Sequence, residues 1–257
     1  MFLDKLKEED FYVLRGALAS GRQSPNNFGG MFTLAIFLQA LMVFLAHVVV
    51  GYDSQFPYKN NILWVHSTIT ILIIILSVIF AIPTVYKKME VFQYFISIII
   101  SQNLFGITSF FIAIHILGST NASITSLILA SILTLILGLL VFVVTSVRFY
   151  LLLTKGEYRK GTSRDQTRQK FEAKSFLPHV VIGGLGIVYF IQFITSNVSR
   201  IELNSLMIGI IGIILFYGMM FVLPEQLVIL YCKKRFKSFN FNKEGNIYPM
   251  GSGEKVG

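Results

Sequence analysis

The sequence predicts an all-α, polytopic integral membrane protein with six transmembrane helices and both termini in the cytoplasm, on three observations. Hydrophobic residues make up 54% of the 257 positions and charged residues only 14%, where a soluble domain carries about a quarter charged. The apolar residues, 24 Phe among them, fall in long blocks rather than at the period of a surface helix. The 22 Lys and Arg gather between those blocks, heavily in every second connection.

Residues 1–28 are polar and of mixed charge, so the first apolar block serves as the insertion signal. Within them Phe2, Leu3, Leu6, Val13, Leu14, Ala17 and Leu18 form a helical stripe that Gly21 and Pro25 end. The expectation is a short amphipathic helix on the inner leaflet, or docked on the protein's own helices.

A bilayer core of about 30 Å needs about 20 apolar residues of helix. Six segments within residues 29–231 meet this: Gly30–Gly51, Ile62–Tyr86, Tyr94–Leu117, Ser123–Leu153, Ser175–Ser196 and Ser205–Tyr231. In the long fourth segment Arg148 marks the inner boundary, and Phe149–Leu153 continues as an interfacial turn. Lys and Arg number 4 before the first segment, then 1, 2, 0, 7 and 1 in the successive connections, and 6 after the last. Every connection therefore favours cytoplasmic termini in the cell membrane. The loop 154–174 is basic, and residues 232–257 read as a basic, disordered cytoplasmic tail. The net charge of +9 belongs to this topology signal and not to nucleic-acid binding.

Ionisable residues inside spans are costly and are functional candidates by default. His47, His66 and His115 lie near the outer ends of the first three segments, within about one helical turn of the same depth. Three imidazoles there can bind a metal ion such as Zn²⁺ or Cu²⁺, or two can clasp a haem; satisfied interfacial histidines are the simpler reading. His179 stands alone at its depth and reads as structural. Gln39, Gln102, Asn103 and Gln192 are either hydrogen-bonding glue between helices or the lining of a path. Gly183, Gly184 and Gly186 in the fifth segment, with Gly209 and Gly212 in the sixth, suggest close packing of that pair. Pro224 and Glu225 sit near the inner end of the sixth segment, as a kink and a shallow acid that can reach water, Arg148 or the basic rim; gating is the sharper alternative.

Cys232, the single cysteine, excludes an intramolecular disulfide and any multi-cysteine metal site. No P-loop, HExxH, GxSxG or GxGxxG motif occurs, so nothing supports an enzyme. In outline the six spans, inner termini, N-terminal interfacial helix and basic fourth loop resemble the membrane subunit of an ABC-2-type exporter. That resemblance rests on architecture and not on a residue motif, and it implies a separate cytoplasmic ATPase. A membrane immunity protein against a toxin, or an accessory subunit of a secretion system, remains open beside it. So do a homo-oligomer and the metal or haem protein built on the three histidines.

Overall fold

The computed structural model describes residues 2–120, 122–173, 200–242 and 244–254. Among them there is no strand, only two isolated antiparallel bridges, Phe236–Glu254 and Phe241–Ile247. Six helices organise the described residues: α1 (Pro25–Val49), α2 (Lys59–Ala81), α3 (Glu90–Gly118), α4 (Ile124–Thr154), α5 (Ser163–Ala173) and α6 (Arg200–Arg235). Five of these, all but the polar α5, are long and apolar enough to cross a membrane. They carry exposed large side chains such as Phe37, Leu72, Leu139 and Ile214. Such surfaces suit lipid and not water. The expected segment Ser175–Ser196, with His179, Gln192 and its three glycines, lies outside the described residues.

Local chemistry sets most of the helix ends. Ser24 accepts the Asn27 N–H at 3.3 Å with Pro25 in the first turn, so α1 starts five residues before Gly30. Ser123 caps α4 in the same way, accepting the Ser126 N–H at 3.2 Å. Helix α2 stops at Ala81, short of the expected Tyr86, because Ile82 precedes Pro83 and adopts an extended conformation. Phe149–Leu153, expected as an interfacial turn beyond Arg148, is a continuation of the helix. Helix α4 runs unbroken to Thr154, where Gly156, at φ +73°, allows the chain to turn away.

Two spans contain a turn of π-helix, Leu45–Val49 in α1 and Gln102–Ile107 in α3. These wide turns recur at functional sites because they re-aim the side chains around them. Helix α6 lies against both α3 and α4. A Cβ on Gly212 would stand 2.6 Å from the Ser109 carbonyl oxygen, and one on Gly138 would stand 2.6 Å from the Phe216 ring. Gly209 likewise faces Ile116 and Ala113. Among the described residues, then, the small face of α6 serves α3, while the suggested packing of that face on the fifth segment lies outside them.

Both terminal segments fold together at one end of the bundle. The N-terminal stripe packs on the protein's own helices, one of its two expected placements, with Glu8–Arg15 as 3-10 helix followed by one α-turn at Gly16–Ala19. Phe11, Leu14 and Leu18 are buried with Phe149, Leu153, Tyr158, Cys232, Phe236 and Phe239. The N–H of Val13 donates to Tyr158 O at 2.9 Å, which ties the segment to the loop after α4. The tail expected to be disordered also folds back: Lys237 N–H donates to Gly253 O at 3.1 Å, and Arg15 Nε donates to Ser238 O at 2.8 Å.

A buried ion pair between α6 and α3 anchors the start of that tail. Lys233 is 1% exposed, and its ammonium pairs with the Glu90 carboxylate at the start of α3 and donates to Phe239 O at 2.9 Å. The other Glu90 oxygen accepts the Phe241 N–H at 3.0 Å. Removing one partner leaves a buried charge unpaired, so Lys233→Met should cost about 3 kcal/mol. It should also expose the tail to limited proteolysis in detergent. The double variant Lys233→Met/Glu90→Gln should recover most of the loss and restore protection, read by thermal unfolding and the proteolysis pattern.

Candidate functional site

At the end of the bundle opposite the folded termini, α1, α2 and α3 each contribute a histidine. His47 sits in the π-turn that ends α1, His66 two turns into α2, and His115 one turn before the end of α3. All three are buried, His115 completely. The rings meet edge to face, with centroids 5.1 Å apart for His47–His66 and 5.3 Å for His47–His115. Phe111 closes one side against His47 and His66, and Phe56 stands over His115.

The three nitrogen contacts run in series. His115 Nε2 lies 3.3 Å from His47 Nδ1, His47 Nε2 lies 2.8 Å from His66 Nδ1, and His66 Nε2 lies 3.3 Å from Thr108 Oγ1. Thr108 Oγ1 in turn donates to Asn103 O at 2.7 Å, which commits its only hydrogen. Thr108 must then accept from His66 Nε2–H, His66 Nδ1 must accept from His47 Nε2–H, and His47 Nδ1 must accept from His115 Nε2–H. This polarity satisfies every contact and leaves a bare lone pair on His115 Nδ1, which has no partner among the described residues. The reverse polarity gives up the 2.7 Å bond and strands a buried N–H at His115, a costlier outcome.

The three histidines, placed at one depth by the sequence, meet in a row and not around a point. His47, in the middle, has both nitrogens engaged. Among the described residues no group of three His, Cys, Asp or Glu side chains is placed to hold a metal ion. Metal or two-imidazole haem ligation requires these rings to abandon the contacts they make.

The row continues toward the middle of the bundle. Asn103 Nδ2 donates to Thr70 Oγ1 at 3.1 Å and to Gln39 Oε1 at 3.4 Å. Gln102, one residue earlier on the same π-turn, faces α6 and donates to Met219 O at 3.2 Å and Gln226 Oε1 at 3.3 Å. Buried and without a hydrogen-bond partner among the described residues are Asn103 Oδ1, Gln102 Oε1 and Gln39 Nε2. Polar atoms left so in an apolar bundle mark a place where water, an ion or a solute would be satisfied.

Of the remaining sequence candidates, Gln192 lies outside the described residues, and Pro224, Glu225 and Arg148 do not join this column. Helix α6 passes through Pro224 without interruption. Glu225 is near the terminal end, its carboxylate 40% exposed and 3.8 Å from Arg168 of α5. Its partner thus comes from the basic rim, while Arg148 is exposed among Val144, Val147 and Leu151 on α4. Thr70 and Thr108 were not singled out by sequence, since threonine is ordinary in apolar helices. A signal was present: Thr70 follows His66 by four residues and Thr108 precedes His115 by seven, spacings that share a helix face.

No protein-family model, no curated protein and no solved structure matches the chain. The exporter resemblance accordingly stays one of outline. The column itself is testable as structure: Thr108→Val keeps the volume but removes the hydroxyl that links His66 to Asn103. A loss of about 1–2 kcal/mol is expected in thermal unfolding, and Thr108→Ser should restore most of it.

Proposed function

We propose that the chain is the membrane-embedded subunit of a transport or export system, with its path along the column His115–His47–His66–Thr108–Asn103 and a cytoplasmic partner, such as an ATPase, at the terminal end. The observation that carries this reading is the column itself. Polar side chains from α1, α2 and α3 are hydrogen-bonded in series inside helices whose outer faces are apolar. Burial of this kind in a bilayer is expensive and usually functional. A protein that only shields a partner has no use for it, so the immunity reading gains no support of its own.

The charge asymmetry of the connections supports placing the terminal end in the cytoplasm. There the N-terminal segment, the basic loop and the tail form one folded surface. Asp10 pairs with Arg159 at 2.7 Å, and Arg168 donates to Val13 O at 2.6 Å. Such a surface gives a partner a fixed shape to bind, where a flexible loop would first have to be ordered.

Thiol labelling tests the path without knowledge of the substrate. In a Cys232→Ala background, Thr70→Cys and Asn103→Cys should react with a small, charged, membrane-impermeant thiol reagent in native membranes. Leu72→Cys and Leu129→Cys, on exposed apolar faces, should not react. Equal silence at all four positions would make the column a packing device between helices and overturn the transport reading.

A further inference from the structure

We propose that His115, His47 and His66 form a one-proton relay that takes up a proton at Nδ1 of His115 and delivers the charge to His66. The inference rests on the transport reading for its purpose, but its chemistry stands on the triad alone. Three observations carry it: the contacts in series, the polarity that Thr108 imposes on them, and the bare, fully buried acceptor at the outer end.

The transfers balance atom by atom. A proton from water binds Nδ1 of His115, and the hydrogen on its Nε2 passes to Nδ1 of His47. The hydrogen on Nε2 of His47 then passes to Nδ1 of His66. His115 and His47 end as neutral Nδ1–H tautomers, and His66 ends as an imidazolium. Its Nε2–H still donates to Thr108 Oγ1, whose hydrogen still rests on Asn103 O. The carbonyl is too weak a base to take the proton further, so the charge stops at His66. There it lies next to Thr108 and one contact from the polar groups around Asn103.

Few charges compete with it. Among the described residues, the ionisable group facing the triad from the segment between α1 and α2 is Lys59. Its ammonium is held by the carbonyls of Gly51, Tyr52 and Ser54, at 3.2, 2.9 and 2.8 Å. Asp53 on that segment is exposed. Phe111 and Phe56 cover the triad without charge. Among the described residues the relay therefore has no carboxylate of its own, and a proton on it is held only as long as the outside is acidic enough to supply one.

Nitrogen NMR of the full chain in nanodiscs, labelled at histidine with ¹⁵N in a His179→Gln background, tests this directly. At alkaline pH all three histidines should show a protonated Nε2 and a bare Nδ1. On acidification one proton per chain should be taken up; His47 and His115 should exchange which nitrogen is protonated, and His66 should become doubly protonated. In His47→Phe, whose ring fills the same space, His115 should still titrate while His66 stays neutral over the same range. Three independent titrations, mixed tautomers at alkaline pH, or metal bound stoichiometrically by the purified protein would each overturn the relay. Thiol labelling of Thr70→Cys without coupled titration would retain the path and remove the relay; coupled titration without labelling would do the reverse.

Discussion

A bilayer core holds no water to receive a hydrogen bond, and the organisation of this molecule follows from that constraint. Helices satisfy their own backbone, so the apolar spans need nothing more. Each polar side chain, however, must find its partner inside the bundle. The column from His115 to Asn103 meets that demand in one way, by handing each donor to the next acceptor. It does not meet it fully: four acceptor or donor atoms, His115 Nδ1, Asn103 Oδ1, Gln102 Oε1 and Gln39 Nε2, have no partner among the described residues. A structure built only for stability would have closed or removed them.

The π-turns and the glycines are the devices that make the column geometrically possible. Within Gln102–Ile107, Gln102 faces α6 while its neighbour Asn103 faces α1 and α2. Adjacent residues on a helix point in different directions, so one turn serves two interfaces. The reach of Gln102 to Met219 O depends on α6 lying close to α3, and that closeness is set where Gly212 meets the Ser109 carbonyl. Enlarging either glycine face would push α6 outward and break polar contacts several residues away.

At the terminal end the same accounting explains why segments distant in sequence come together. Lys233, Asp10 and Asp165 are all buried, and each is matched: Lys233 by Glu90, Asp10 by Arg159 and Asp165 by the Gly161 N–H at 2.8 Å. Several of the basic residues that read as a topology signal therefore also hold the fold together. Arg168 reaches Val13 O and Glu225, and Arg235 reaches Leu3 O, Leu6 O and Glu254. Charge near a membrane surface does not have to be solvated charge.

Depth is what the sequence by itself determined. Runs of apolar residues measure distance along the membrane normal, so five of the expected spans and the common level of the three histidines could be read in one dimension. Rotation about each helix axis, and the pairing of one segment with another, have no such one-dimensional record. The tertiary structure alone decided that the imidazoles stand in series, that Thr70 and Thr108 join them, and that Glu225 turns to Arg168. It also decided that the two terminal segments share a core, because Phe11 and Phe239 become buried only when residues more than two hundred positions apart meet.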